Sequence, residues 1–369
     1  MFNKEKIVSR FMEYVKISSE SGSEGDFHRK LIVNLDELGA EVSVDEAGSK
    51  AGADANNIYA YLKGNMETEP LIFSCHMDTV KPGKNIEPII EDGLIKSKGD
   101  TILGSDDKSG ITAIVEAVKL IKEQKPDHRP IQMIFTISEE VGLRGAKNLD
   151  YDRIIGKRCY VIDSSGPVGK IIVQAPAHNK IVSEITGKPA HAGIAPEEGI
   201  SAIMAGADAI STMNLLRIDE ETTANIGTFE AVGAANIVSP AARIVGEIRS
   251  LDKYKIEKQT SHMVECLRKA AEKHGAEIDI DVEKTYEPYC FHENDDIVKY
   301  AMEKCKRIGV EPFTSPSGGG SDANVLNTKG IKTINLGCGV NNAHTTDESI
   351  EINELVNITK LVYYLMLDL

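Results

Sequence analysis

Acid and imidazole side chains gather where apolar runs of this sequence break off or begin. The run Leu71-Ile72-Phe73-Ser74-Cys75 ends in His76-Met77-Asp78. Ile131–Ile137 ends in Ser138-Glu139-Glu140, and Val161-Ile162 ends in Asp163. Asp106-Asp107 precedes a helical stretch, and His344 lies in a loop after a strand-like run at 331–336. Two imidazoles with several carboxylates suit a pair of divalent ions of the zinc type, and cobalt or manganese accept the same donors. In two-metal hydrolases the ions lie about 3.5–4 Å apart and clamp an attacking hydroxide. One carboxylate must then bridge the ions, and an uncoordinated one must take the proton from water. The neighbours Glu139 and Glu140 suit a division of those tasks, because adjacent residues at a strand end point in different directions. Beside them, Asp78 is placed to fix the ring of His76.

Each group taken singly has an ordinary explanation. His76 fits a satisfied core histidine, Glu139-Glu140 a solvated turn, and Asp106-Asp107 a helix cap. Asp163 fits a turn, and His344 a plain loop histidine. Taken together they fall at one kind of position, the edge of an α/β sheet where ligands bind.

The elements that must carry these groups follow from periodicity. Apolar residues at helical spacing mark helices at 4–17, 24–39, 109–124, 294–307 and 351–367. Strands are expected near 41–44 and 57–62, and buried strands over the apolar run that gives way to a loop at His76 and over 131–137. The stretch 81–104, rich in glycine, proline and charge, reads as a loop. The character changes near Pro176. A helix at 197–213 and another at 254–274 alternate with strands at 180–186, 225–232, 236–239, 241–250 and 276–286. That set makes an α+β unit. The expected division is 1–176, an inserted domain at 177–288, and 289–369.

The chain has 369 residues, enough for two cores, and a formal net charge of −15. That charge argues against nucleic-acid or anionic-membrane partners. The six cysteines show no CxxC spacing, and the amino terminus lacks the apolar stretch of a signal peptide. No apolar run is long enough to span a bilayer, so a reducing cytoplasm is expected.

The wording of these segments resembles the M20 metallopeptidases, and within them the peptidase T-like tripeptidases. The resemblance runs over essentially the whole chain. It is carried by Ser74-Cys75-His76-Met77-Asp78-Thr79, Gly104-Ser105-Asp106-Asp107-Lys108-Ser109-Gly110, Ser138-Glu139-Glu140-Val141-Gly142, Asp163 and Ala343-His344. It implies a zinc-exopeptidase-like α/β catalytic domain, a mixed sheet flanked by helices, with an inserted α+β lid and dimerisation domain. It further implies that His76 and Asp163 bind one ion, Glu140 and His344 the other, and Asp106 both. Asp78 would orient His76, and Glu139 would be the general base.

Gly187-Lys188-Pro189-Ala190-His191-Ala192-Gly193 resembles the family's lid loop, in which His191 would stabilise an oxyanion, in its own site or a partner's. Asn236 and Arg249 fall in segments resembling substrate contacts, and a guanidinium matches a carboxylate in a bidentate way. Gly318-Gly319-Gly320-Ser321-Asp322 resembles the loop lining the cleft, with Gly319 at its centre. The implied partners are a short peptide and a second copy of the chain. The implied reaction is cleavage of the amino-terminal bond of short peptides. The motifs do not separate this from the carboxypeptidase, dipeptidase or N-acyl amino-acid deacylase activities of related members. Degeneration to a non-catalytic metal-binding protein is opposed by the intact set of acids. The chain is shorter than typical peptidase T, so a strict tripeptide preference is not carried over.

Overall fold

The computed structural model describes residues 2–367, the side chain of Val232 excepted. Met1, Asp368 and Leu369, which the expected outer segments include, lie outside the described residues. The chain divides into two compact units. One holds Met1–Val173, Cys290–Ser317 and Ser321–Leu369, and the other holds Gln174–Tyr289 with Gly318–Gly320.

The first unit is built on a mixed sheet. Its centre is four parallel strands in the order Ile131–Thr136, Leu71–His76, Arg158–Ser164, Lys332–Gly337. Antiparallel strands flank them, with Ile58–Leu62 and Glu41–Val44 on one side and Lys170–Ala175 on the other. Every residue of Leu71–His76 and of Ile131–Thr136 is buried, as expected of strands covered on both faces. Register places His76 opposite Thr136, Ser74 opposite Val161, and Gly337 opposite Ser164. Because the strands are parallel and nearly level, their carboxyl ends deliver His76, Glu139 and Asp163 to one edge.

The helix Ser105–Gln124 lies against Leu71–His76 and Arg158–Ser164, and against the helices Lys4–Val15 and Ile352–Met366. Ile111, Ile114, Val115 and Val118 join Phe73, Met133, Phe135 and Tyr160 in its core. Each large apolar side chain buried there contributes about 1.5–3 kcal/mol. The expected start of this helix, residue 109, is close to the truth for a physical reason. Asp106 and Asp107 have non-helical backbone, with ψ of 104° and 34°. Regular helix begins only after them.

The stretch 81–104 is not a plain loop. It contains a hairpin, Pro88–Glu91 with Leu94–Ser97, turned by Asp92 and Gly93 at φ of 50° and 83°. Positive φ at both central residues is what an Asp-Gly hairpin turn requires. The hairpin is extended by Ser349–Glu351 and then Val340–Asn341, which flank the His344 loop.

The second unit is a five-stranded antiparallel sheet, in the order Leu216–Arg217, Thr222–Val232, Ala241–Ser250, Ala177–Thr186, Glu277–Tyr286. Inward residues such as Ile181, Ile185, Ile244 and Ile248 meet Ala202, Ala205 and Ala209 of one helix and Ile256, Met263 and Leu267 of another. The expected strand at 236–239 does not form. Asn236 lies in a turn, and only Ile237 pairs, as an isolated bridge to His191.

Candidate metal centre

The acids and imidazoles at the sheet edge converge within the first unit. His76 Nε2 lies 3.0 Å from Asp106 Oδ1 and 3.6 Å from Asp163 Oδ1. His344 Nε2 lies 3.3 Å from Asp106 Oδ2 and 2.9 Å from Glu140 Oε1. Asp106 therefore faces a different imidazole with each oxygen. Donor atoms of His76, Asp106 and Glu140 all lie within 4.8 Å of one another, and so do those of His76, Asp107 and Asp163. Asp107 thus reaches the cluster as well, although the family resemblance favours Asp106.

The Asp106-Asp107 pair divides its work. Asp107 Oδ1 accepts the Gly110 N–H at 3.2 Å and so caps the helix, while its Oδ2 is buried without a hydrogen-bond partner. Asp106 faces the imidazoles. Its backbone is fixed by Glu348, whose Oε1 accepts the Asp106 N–H at 3.0 Å and whose Oε2 accepts the Gly104 N–H at 2.8 Å. Glu348 is buried four residues beyond His344, so one carboxylate ties together two loops that carry candidate ligands.

The ring of His76 is oriented through Asp78, but by its main chain. His76 Nδ1 lies 2.9 Å from the Asp78 carbonyl oxygen and 3.5 Å from Oδ1 of its carboxylate. A carbonyl can only accept, so Nδ1 carries a proton and Nε2 is the nitrogen that a cation would take once its own proton is displaced. The Asp78 carboxylate is engaged elsewhere. It accepts the Glu139 N–H at 2.9 Å, the Glu140 N–H at 3.2 Å and the Ser21 hydroxyl at 2.7 Å. Asp163 is set by its strand and by Asn335, whose Oδ1 accepts the Asp163 N–H at 3.0 Å.

The electrostatics of the cluster are those of excess buried acid. Burial pushes Glu139 well above the usual carboxylate range, and burial together with the Asp106 charge lifts Asp163 to about 7. Glu140 is also raised by burial. Hydrogen bonds to Asp106 and Glu140 lift His344 to about 10. Burial alone would lower His76, but Asp106, Asp163 and Asp78 outweigh it and hold the ring well above its usual value. Asp106 is held below its usual value against the cost of burial, by His344 and His76. Clusters of this kind hold protons that a divalent cation displaces.

The donor set fits two such ions. His344 Nε2 lies 2.9 Å from Glu140 Oε1 and 3.3 Å from Asp106 Oδ2, so one imidazole and two carboxylates face a common point that a cation could take. Imidazole nitrogen with carboxylate oxygen is the chemistry that zinc, cobalt and manganese accept. The chain therefore carries two overlapping divalent-metal clusters that share His76. They are open on the His344 side, where that side chain is 53% exposed against 2% for His76.

Two further supporting acids, like Glu348, carried no assigned role in the sequence. Asp322, at the start of a short helix, accepts the Thr136 hydroxyl at 2.5 Å, and burial lifts it to about 6. Glu24 Oε1 accepts both the N–H and the hydroxyl of Ser138 at 3.0 Å. Asp322 was visible as part of the glycine-rich motif, whereas no local signal marks Glu24.

The remaining candidates belong to the second unit. His191 is exposed, and its Nδ1 accepts the Gly193 N–H at 3.2 Å, which closes a turn. The Asn236 carbonyl accepts the Ala192 N–H at 2.9 Å, so the lid-like loop is pinned to the 234–238 turn. Arg249 forks onto Glu247 at 3.2 and 3.1 Å. His178 and Arg249 together pull Glu247 down to about 2. Gly319 runs beside this pair, and a Cβ added to it would lie 3.7 Å from Arg249 Nη1. Gly320 must be glycine, because a Cβ there would lie 2.3 Å from the ring of Tyr286.

Comparison with known proteins places this geometry in a family. The chain is 42% identical over 362 residues to the uncharacterised protein YqjE of Bacillus subtilis (strain 168), covering 98% of each. Among solved structures it is similar to the aminopeptidase PepT of Bacillus cereus ATCC 10987, with a TM-score of 0.91 at 42% identity over 99% of this chain and 98% of that one. It is also similar to a tripeptidase of Staphylococcus aureus subsp. aureus mu50, with a TM-score of 0.95 at 39% identity over 99% and 98%. The profile of peptidase family M20/M25/M40 spans residues 72–368, from the strand that delivers His76 to the last helix, and the chain belongs to that family.

Proposed function

We propose that the chain is a metal-dependent exopeptidase that releases the amino-terminal residue of short peptides, tripeptides foremost. The observation that carries this reading is Asp106, whose two oxygens each face an imidazole, one side completed by Asp163 and the other by Glu140. His76 and Asp163 would hold one ion, His344 and Glu140 a second, and Asp106 both. Zinc suits these donors best. Such a pair, when bound, polarises the scissile carbonyl and supplies hydroxide near neutral pH.

The chain's own residues do the rest. Glu139 is buried beside the ligands with its backbone fixed by Asp78. Its raised proton affinity suits a group that takes a proton from water and returns it to the leaving amine. His191 would stabilise the oxyanion. Arg249 would hold a substrate carboxylate, exchanging its present partner Glu247 for it, while Asn236 and Gly319 line the peptide's path. The second unit would serve as lid and as the contact between two copies of the chain. Among the described residues no helix is long and apolar enough to cross a membrane. All six cysteines are free, which supports a reducing cytoplasm. The relatives described as an aminopeptidase and a tripeptidase support the choice of substrate end.

The test is hydrolysis by the zinc-loaded protein of a free tripeptide, an amino-terminally blocked tripeptide and an N-acyl amino acid, with and without a chelator. The expected result is chelator-sensitive cleavage of the free tripeptide alone. Cleavage of only the blocked or acylated compounds would replace the aminopeptidase reading with that of another amidohydrolase.

A further inference from the structure

The family profile begins at residue 72, yet three loops of the catalytic edge lean on a segment that precedes it. The connection between the helices Lys4–Val15 and Gly25–Glu37 runs through Ile17, Ser21 and Glu24. The Ser21 hydroxyl donates to Asp78 Oδ2 at 2.7 Å, and the Ser21 N–H donates to the Thr79 carbonyl at 3.1 Å. Glu24 is wholly buried and does not cap its own helix. Its Oε1 instead takes both the N–H and the hydroxyl of Ser138. The Ile17 carbonyl accepts Lys108 Nζ at 2.7 Å, and the Phe27 ring lies 4.8 Å from the same ammonium. Three separate loops, those of Asp78, Ser138 and Lys108, are thus held by one short stretch of chain.

Ser138 is the residue on which this matters most. Its φ of 50° is left-handed, a conformation that a non-glycine residue keeps only when its surroundings over-determine it. Glu24 supplies two of those constraints. The next residue is Glu139, and its N–H is held by Asp78, which is itself held by Ser21. The backbone of Glu139 is therefore clamped from both sides, and both clamps originate in the same connection.

We propose that Ser21 and Glu24 are positioning residues of the catalytic centre, which fix the main chain of Ser138-Glu139-Glu140 so that the Glu139 carboxylate is aimed. This rests on the reading of Glu139 as the proton carrier. The connection is a brace that the reaction needs, and its sequence precedes the residues that the family profile matches. Fixing a catalytic group to within a fraction of an ångström through a supporting shell is what separates a working site from an assembled but slow one.

The experiment compares Ser21→Ala and Glu24→Ala with the conservative variants Ser21→Thr and Glu24→Gln, all zinc-loaded and full-length. Three quantities are read: kcat and KM on a free tripeptide, zinc per chain, and amide hydrogen exchange across 138–142. The alanine variants are expected to lose about 10-fold to 100-fold in kcat with KM and zinc content little changed. Their Ser138, Glu139 and Glu140 amides should exchange about 10-fold faster, one lost hydrogen bond converted to a rate. The conservative variants, which keep a hydroxyl or a carbonyl oxygen in place, should recover most of both. Unchanged exchange would overturn the brace, as would faster exchange with unchanged kcat, or conservative variants no better than alanine. If Glu24→Ala does not fold, Ser21→Ala and Glu24→Gln decide the matter. A wild type that cleaves no tripeptide would remove the functional reading, while the exchange rates would still judge the brace.

Discussion

The carboxylate of Asp78 holds the backbone of Glu139, its Oδ1 accepting the Glu139 N–H at 2.9 Å. The same carboxylate takes the Glu140 N–H, while the Asp78 carbonyl fixes the His76 ring. One residue therefore aligns a candidate ligand by its main chain and a candidate base by its side chain. Asp78→Ala should lower kcat about 10-fold to 100-fold while zinc per chain stays near two, because the carbonyl remains. Turnover together with elemental analysis of the same sample checks this. Loss of one zinc per chain would mean that the carboxylate serves His76 after all.

Glu139 separates chemistry from assembly. Glu139→Gln preserves shape and hydrogen-bonding reach but removes the proton acceptor. Turnover is expected to fall by about 100-fold to 10,000-fold, with metal content as in wild type. A variant that keeps a tenth or more of wild-type activity would show that another group moves the proton.

Metal binding should release protons. In the metal-free protein Asp163 holds its proton up to about pH 7, and His344 up to about pH 10. Both must let go before they can donate a lone pair. Zinc affinity should therefore rise with pH between about 6 and 8, with release of about one proton or more per ion. Calorimetric titration in buffers of different ionisation enthalpy counts the protons. Affinity that is flat or falls across that range would contradict the ligand set.

Much of this site was legible because chemistry-bearing residues sit at the ends of apolar runs, where parallel strands deliver them to one edge. What escaped reading was held by contacts remote in sequence. Glu24 meets Ser138 and Glu348 meets Asp106 only after folding, and nothing near either residue announces it. The hairpin at 88–97 escaped for a different reason. Its Asp92-Gly93 turn signal is present, but the surrounding glycine, proline and charge drew the whole stretch into a loop. The ambiguity of Asp106-Asp107 was real, since one residue caps a helix while its neighbour faces the imidazoles.

Arg249 is already forked onto Glu247 in the second unit. If it meets a substrate carboxylate, that carboxylate takes over a bidentate pair. Arg249→Lys should raise KM for free tripeptides about 10-fold or more, since an ammonium cannot reproduce the fork. Carboxyl-amidated tripeptides should be much less affected. An equal loss on both substrates would assign Arg249 to the fold of its sheet rather than to the peptide.

The central claim is that distant residues gather a pair of cations around Asp106. Crystals of the protein grown with zinc and measured at the zinc absorption edge test this most directly. Two anomalous peaks about 3.5–4 Å apart are predicted, with one Asp106 oxygen toward each. A single peak, or two peaks that do not share Asp106, would contradict the account.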